Sequence, residues 1–392
     1  MVEGSRLAST AANRSTGGSG RSPRLTLGLP PGFASGRDVI CNLSDKEYHR
    51  VMRAVTCRFL TTVVVGLTAC TPKASPDANS ASTGEPAVPQ DLAAEVNGVR
   101  LHYLDWGGEG SLMLFVPGLT NTAHAFNGIA PAFTGQYRVV GITRRGHGSS
   151  EQPRASLDLD VLVDDLAGFI DLFSEEPAVV IGMSYAGIEL PRLATRYPAK
   201  VRALVFLDAV YDWPRWLGAA PSLPGFPAPD SFYDSYGDLE SWNQEVFPEL
   251  WNEVTRVHLR SQTYLTETGK VAWQLPWPSS AFDEFLKLYR SWTGTEYEGI
   301  RIPVLSVQAS QEGYLTRNLE RRGFSAAVVD SAAMWAREFD AVLKSVGREM
   351  LSSAVPRAVF VELDSTYHAL QLQRPDQVIS TIREFLETYV EH

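Results

Sequence analysis

The stretch that decides the fold is Gly182-Met183-Ser184-Tyr185-Ala186-Gly187. It follows the apolar run Ala178-Val179-Val180-Ile181 and precedes residues 188–197, which have the composition of a helix. A strand, a tight turn with a central serine and a helix together form a strained corner that holds the hydroxyl above a sheet. Small residues are needed at 182 and 186 because the backbones of the strand and the helix nearly touch there. The stretch therefore predicts a nucleophilic Ser184.

Charge and cysteine content restrict the possible partners. Residues 1–69 contain nine Lys or Arg and four Asp or Glu, and the remainder contains 26 basic and 41 acidic residues, a net charge of −15. That charge argues against a nucleic-acid partner and against a basic membrane-binding face. The three cysteines are Cys41, Cys57 and Cys70, so we expect neither a disulfide nor a thiolate metal site beyond residue 70. No metal or organic cofactor is expected.

Residues 52–70 have the pattern of an export signal. Arg53 and Arg58 begin it, and the apolar core 59–67 is too short to cross a membrane but suits a signal peptide. The segment ends in Leu67-Thr68-Ala69-Cys70, which resembles the lipobox of bacterial lipoproteins. That resemblance implies that Cys70 is lipidated and becomes the mature N-terminus. The alternative is a core helix with an incidental cysteine.

The segments on either side of this signal fit the same plan. Residues 71–90 are rich in Pro, Ala and Ser, which predicts a flexible linker. Residues 1–51 predict a disordered or non-native extension, with translation starting near Met52. We therefore expect an exported protein, anchored at the periplasmic or cell-surface side of a bacterial membrane through the lipid at Cys70 alone.

From residue 91 to residue 392, strand and helix patterns alternate. Apolar runs predict strands at 94–96, 99–104, 112–116, 137–142, 178–181, 203–207, 304–307 and 358–363. Val378, Ile382, Phe385 and Tyr389 mark the apolar face of a C-terminal helix. The alternation indicates an α/β fold with a mostly parallel central sheet, flanking helices and an antiparallel start.

Residues 211–300 interrupt that alternation with seven of the nine tryptophans and many prolines. Such an insertion predicts a helical cap over the site. We expect most of the aromatic residues to form the core of the cap, and two or three of them to line an apolar pocket.

Over residues 91–392 the chain resembles the α/β-hydrolase family. Four motifs carry the resemblance: Phe115-Val116-Pro117-Gly118-Leu119, Arg145-Gly146-His147-Gly148-Ser149-Ser150, the Ser184 turn, and Tyr367-His368-Ala369. Pro117 and Met183 depart from histidines that are common in the family. The resemblance implies an α/β-hydrolase fold in which the cap is inserted after the sixth core strand.

A serine hydroxyl needs a base, and among the seven histidines His368 is the best candidate because it lies on a loop beyond the last strand. The acid that orients this base follows either of two strands in the family. Asp208 ends a fully apolar strand and would need a partner there, whereas Glu312 is the alternative after the next strand. Asp212 and Asp364 are further candidates.

The remaining site residues concern the oxyanion and the substrate. The backbone amides of Leu119 and Tyr185 are expected to form the oxyanion hole. His124 and His147 lie on loops near the same edge and could contact substrate, whereas His258 lies inside the cap.

Together these residues predict a serine hydrolase that cleaves a small, apolar ester, thioester or lactone through an acyl-enzyme. The resemblance also includes haloalkane dehalogenases and epoxide hydrolases, but both use an aspartate nucleophile. Amide or iminopeptide hydrolysis, cleavage of a carbon–carbon bond and acyl transfer share the same triad and stay open. A non-catalytic ligand-binding lipoprotein is the alternative from another class.

Overall fold

A computed structural model describes residues 88–152, 158–215, 223–226, 229–274 and 289–391. The predicted signal segment 52–70 with Cys70, the extension 1–51 and nearly all of the linker lie outside these residues, as do Trp216 and Trp277 of the cap. Within the described ranges, no helix is both long enough and apolar enough to cross a membrane.

Eight strands form the central sheet. They are β1 (Gln90–Val96), β2 (Val99–Gly107), β3 (Leu112–Val116), β4 (Arg138–Ile142), β5 (Ala178–Met183), β6 (Val201–Leu207), β10 (Val304–Ala309) and β11 (Val359–Leu363). Each overlaps a run predicted from the sequence. β1 and β2 form a hairpin through Asn97-Gly98, whose positive φ angles of 49° and 75° are those of a tight two-residue turn.

The order of the strands is β1-β2-β4-β3-β5-β6-β10-β11. The first two pairings, β1 with β2 and β2 with β4, are antiparallel, and the five that follow are parallel. The carboxyl ends of β3, β5, β6, β10 and β11 therefore meet at one edge of the sheet, which is where open α/β sheets bind ligands.

Alternate residues of the central strands pack on opposite faces of the sheet. Leu114 and Val180 belong to one apolar cluster, and Phe115 and Ile181 belong to the other. Both faces are buried, and for this reason the strands appear in the sequence as continuous apolar runs.

Nine α-helices lie in the described residues: α1 (Leu159–Asp171), α2 (Ala186–Arg196), α3 (Tyr236–Val246), α4 (Glu253–Arg260), α5 (Glu312–Arg321), α6 (Ala326–Phe339), α7 (Ser345–Ala354), α8 (Leu370–Gln373) and α9 (Pro375–Tyr389). α1 and α2 pack in one cluster, and α5, α6 and α9 pack in the other. Val378, Ile382 and Phe385 are buried as predicted, but Tyr389 is exposed because it lies at the last turn of α9.

The described part of the cap lies between β6 and β10, as predicted. It contains α3, α4 and a three-stranded antiparallel sheet formed by β7 (Phe232–Tyr233), β9 (Val271–Trp273) and β8 (Thr263–Leu265), in that order. The small sheet was not predicted, because strands of two or three residues are too short to show a periodic pattern. Trp213, Trp273 and Trp292 are buried.

A second helical segment, not predicted, connects β10 to β11. It comprises α5, α6 and α7, with a single wide turn at Asp340–Lys344 between the last two helices. One-turn insertions of this kind are often found at functional sites. This one carries Lys344 inward to the carboxyl edge of the sheet.

Candidate active site

Strained backbone marks the carboxyl edge of the sheet. Five non-glycine residues of the described chain have positive φ angles: Asn97, Thr120, Ser184, Asp208 and Ser365. The first belongs to the β1–β2 hairpin, and the other four lie in the loops after β3, β5, β6 and β11. Such conformations are unfavourable and concentrate at functional sites. The edge is therefore a candidate site on grounds independent of any motif.

Ser184 is located at the corner between β5 and α2 with a φ of 52°. A Cβ atom on Gly182 would lie 2.6 Å from the Cβ of Ala186, and one on Gly187 would lie 1.8 Å from the carbonyl oxygen of Ala209. The strand and the helix can therefore meet only if these positions carry no larger side chain. The requirement at Gly187 was not foreseen from the sequence.

The structure brings Asp208 to His368. The Ser184 amide donates to the Leu207 carbonyl at the end of β6 at 3.1 Å, so Asp208, the first residue after this strand, lies beside the serine corner. Nδ1 of His368 lies 2.7 Å from Oδ2 of Asp208. Because a carboxylate only accepts, Nδ1 carries the proton, and the Nε2 lone pair is left to act as a base.

Asp208 is fully buried and has several donors around it. Oδ1 accepts from the amide of Ala309 at 3.0 Å and lies 3.2 Å from Nζ of Lys344. The Tyr211 hydroxyl hydrogen-bonds the same carboxylate and lies 3.3 Å from Nδ1 of His368. Burial alone would raise the pKa of Asp208, but the charge of Lys344 and the bond from His368 outweigh it and hold that pKa well below its usual range.

The other candidate acids have different partners. Glu312 begins α5 and pairs with Arg337 of α6 in a partly exposed position. Asp212 pairs with Arg215 at 3.1 Å, and Asp364 accepts from the Ser365 hydroxyl.

The loop after β3 approaches the serine closely. A Cβ atom on Gly118 would lie 3.2 Å from the Cβ of Ser184, so any side chain at this position would crowd the serine. The Gly118 carbonyl accepts from Arg144 at 3.0 Å and from the Asn121 amide at 3.2 Å. In a trans peptide the C=O and the N–H point in opposite directions, so the N–H of Leu119 is directed away from Arg144.

Arg144 joins this loop to the helix of the serine corner. Its guanidinium binds both carboxylate oxygens of Glu189 in α2, at 2.6 and 2.5 Å, and also donates to the Pro117 carbonyl. It lies 5.0 Å from the ring centre of Tyr185. Both ionic groups are buried, and bidentate pairs of this kind fix orientation as well as charge. The motif residue next to it, Arg145, instead pairs with Asp165 of α1.

The described histidines outside the proposed triad have structural partners. His147 lies in its glycine-rich turn, with Nδ1 3.1 Å from the Arg145 carbonyl oxygen. His124 lies 3.3 Å from the Thr122 hydroxyl and stacks on His102. His258 of α4 binds Asn121 in the loop after β3, with 2.9 Å between Nε2 and Oδ1.

Sequence reasoning missed Lys344, Arg144, Glu189 and the link from His258 to Asn121. The available signal was a charged residue within or directly after an apolar segment, as at Arg144 after β4 and Glu189 in α2. Such a residue needs a buried partner, although the sequence does not say which one.

Aromatic side chains lie beside the triad residues. The Tyr211 ring is 6.3 Å from that of His368 and 5.1 Å from that of Trp213. Tyr289 packs 5.3 Å from Trp213 and 5.6 Å from Tyr185. These rings, contributed largely by the start and the end of the cap, make the surroundings of the serine corner apolar.

Comparison with known proteins agrees with this geometry. The sequence model of the alpha/beta hydrolase family matches residues 113–381, which include every residue of the carboxyl edge described above. The chain belongs to this family. Membership of this family supports hydrolase chemistry but does not identify the substrate.

Individual relatives are distant. The 2-(acetamidomethylene)succinate hydrolase of Mesorhizobium japonicum is 30% identical over 101 residues, or 26% of this chain and 36% of that protein. AB hydrolase superfamily protein YfhM of Bacillus subtilis is 23% identical over 247 residues, or 57% of this chain and 82% of that one. A crystal structure of E-2-(acetamidomethylene)succinate hydrolase superposes with a TM-score of 0.58 at 19% identity, covering 77% of this chain and 100% of that one.

Proposed function

We propose that this alpha/beta hydrolase is a serine hydrolase that cleaves a small, apolar ester, thioester or lactone through an acyl-enzyme. The observation that carries the proposal is the hydrogen bond between His368 and the buried, ionised Asp208, at the strand ends beside a strained Ser184. A serine at this corner, rather than an aspartate, distinguishes the chain from the branches of the family that use a carboxylate nucleophile.

In the proposed acylation step, Ser184 Oγ attacks the substrate carbonyl carbon while its proton passes to Nε2 of His368. The oxygen that becomes negative is held by the amides of Leu119 and Tyr185, the second of which also lies at the positive N-terminus of α2. Asp208 stabilises the imidazolium that forms. His368 then gives its proton to the departing alcohol or thiol, which leaves an ester on Ser184.

In deacylation the same groups act on water. His368 removes a proton from a water molecule, the hydroxide adds to the acyl carbon, and the Ser184 oxygen leaves with the proton from His368. The acid product departs, and the serine is restored.

Burial of the site supports the substrate class. Ser184 has only 7% of its surface exposed and His368 only 4%, so a bulky acyl group would reach the serine poorly. Tyr211, Trp213 and Tyr289 provide an apolar surface beside it rather than fixed charges. An uncharged ester or lactone fits such a site better than a polyanion.

The test is labelling with a fluorophosphonate probe, followed by a series of nitrophenyl esters of increasing acyl length. Wild-type protein should be labelled at Ser184 and should hydrolyse short or medium esters, and Ser184→Ala should do neither. Labelling without turnover of any ester would direct the search to amide or carbon–carbon substrates. Full turnover by Ser184→Ala would refute the proposal.

We also propose that the enzyme is exported and held at the membrane by a lipid on Cys70. The support is the order of the sequence segments: signal-like 52–70, linker 71–90, then the hydrolase domain. Expression in a bacterium should give membrane-associated protein that incorporates labelled palmitate, whereas Cys70→Ala should not be labelled. Equal labelling of both would refute the assignment of Cys70.

A further inference from the structure

Asn121 holds two consecutive peptides of the loop after β3. Its backbone amide donates to the Gly118 carbonyl at 3.2 Å, and its side-chain Nδ2 donates to the Leu119 carbonyl at 2.8 Å. The first of these peptides contains the N–H of Leu119. Residues 118–121, called the oxyanion loop below, are therefore fixed in orientation by Asn121 as well as by Arg144.

Asn121 is in turn held by the cap. Because its Nδ2 is used on Leu119, its Oδ1 faces His258 and accepts, so Nε2 of His258 carries the proton. Burial, aided by the nearby His124, lowers the pKa of His258 to about 3, so the ring is neutral at pH 7. Nδ1 of His258 has no hydrogen-bond partner among the described residues. Among the described residues, the single polar contact of this fully buried ring is thus the one with Asn121 of the oxyanion loop.

The helix that carries His258 is itself well fixed. The Asn252 side chain accepts from the Thr255 amide, and the Thr255 side chain accepts from the Asn252 amide, which closes the N-terminus of α4 reciprocally. At the other end, the Ser261 hydroxyl bonds the Thr122 hydroxyl. Helix α4 and its C-terminal Ser261 thus contact the adjacent residues Asn121 and Thr122. Among the described residues, only the contact through Asn121 continues to the Gly118 and Leu119 carbonyls.

We propose that His258 is a positioning residue that makes the oxyanion hole depend on the seating of the cap. When α4 is docked, the hydrogen bond from His258 holds Asn121, and Asn121 holds the Leu119 N–H toward the reacting carbonyl. When α4 moves away, the oxyanion loop loses this support, and acylation slows even for a substrate that does not contact the cap. This inference rests on the proposed function, since it assigns the Leu119 N–H to the oxyanion.

The experiment uses the full chain and nitrophenyl acetate, whose acyl group is too small to need the cap. Removing one oxyanion donor lowers kcat by about 10²–10³, and displacing one should have a smaller effect. We expect His258→Phe to lower kcat about tenfold to a hundredfold, with KM changed less than about threefold. His258→Gln, which can donate to the same oxygen, should recover much of the loss.

Two further variants separate positioning from docking of the cap. Ser261→Ala removes the neighbouring contact of the same helix and should leave kcat within about twofold of wild type. Asn121→Asp keeps the acceptor for His258 but loses the donor to Leu119, so it should lower kcat as His258→Phe does. It also provides the test if His258→Phe does not fold.

The outcomes are distinct. The combination His258→Phe with Asn121→Asp should be no slower than Asn121→Asp alone, because both act through one path. Multiplied losses, an unchanged kcat in His258→Phe, or an equal loss in Ser261→Ala would overturn the inference. Rates are expressed per site labelled by fluorophosphonate. Absence of labelling in wild type would instead count against the proposed function.

Discussion

Replacing Asp208 by Asn, alone and together with Lys344→Met, separates the catalytic role of Asp208 from its contribution to stability. Oδ1 of Asp208 faces two donors, the amide of Ala309 and Lys344, whereas Oδ2 lies 2.7 Å from Nδ1 of His368. In the variant the amide oxygen is best placed toward the two donors, so its NH₂ group faces His368. The imidazole must then accept at Nδ1 and carry its proton on Nε2, where it can no longer take the proton of Ser184.

A wrong tautomer of the base lowers kcat by about 10⁴. The same change leaves Lys344 buried without one of its two carboxylates, the remaining one being Asp340 at 3.0 Å. Breaking a buried pair destabilises a protein by about 3–5 kcal/mol, and we expect the lower end here because Asp340 is retained.

The assays are kcat on nitrophenyl acetate and the free energy of unfolding in urea. Asp208→Asn should lower both quantities, and adding Lys344→Met should restore stability without restoring kcat. Glu312→Gln is the matched control, since Glu312 pairs with Arg337, and it should leave kcat within about twofold. The reasoning fails if Asp208→Asn keeps kcat within tenfold of wild type, or if Glu312→Gln loses as much.

Two other predictions concern packing and acid stability. Gly187→Ala places a Cβ 1.8 Å from the Ala209 carbonyl oxygen and should lower the free energy of unfolding by about 1–3 kcal/mol. Gly237→Ala, in an exposed turn of α3, is the control and should not lower the free energy of unfolding. Equal effects of the two substitutions would contradict the close approach of Gly187 to Ala209. Burial lowers the pKa of His147 and of His258 to about 3, from 6.5 in the unfolded chain, so the unfolded state binds more protons as the pH falls below 6.5. Each histidine should therefore lower the free energy of unfolding by about 1.4 kcal/mol for every unit that the pH falls between pH 6 and pH 4. In urea titrations at these pH values, the free energy of unfolding of His258→Gln should depend on pH with a slope smaller by one proton than that of wild type. An unchanged slope would argue against a neutral His258.

The central strands could be predicted from the sequence because both faces of the sheet are buried. Residues 112–116 were predicted as a strand with the bounds that β3 has, since five consecutive apolar residues leave little choice. Tyr389 was misassigned to the buried face of α9 because periodicity alone does not show that the last turn of a helix passes beyond the core.

The site was predictable only where the chemistry is local. The Ser184 corner is contained in six residues, and the close approach of Gly182 to Ala186 lies within that turn. The requirement at Gly187 is not local, because it comes from the carbonyl of Ala209. The partner of His368 is not local, since Asp208 lies 160 residues away in the chain. The sequence favoured Asp208 through its position after an apolar strand, but it left Glu312 open as the alternative. The sequence placed His258 inside the cap but did not reveal its role, because its partner Asn121 is 137 residues earlier in the chain.

The burial of Asp208 has a consequence for synthesis of the chain. Ribosomes extend a protein from its N-terminus, and domains commonly begin to fold as they emerge. The serine corner and the aspartate are made well before Lys344 and His368, the two groups that keep the carboxylate charged in a dry interior. A nascent chain that stops short of them therefore lacks the groups that allow this carboxylate to be buried in its ionised form. Catalytic activity should therefore appear only after Lys344 and His368 have left the ribosome. Prematurely terminated chains should be degraded by proteases and should not be weakly active enzymes.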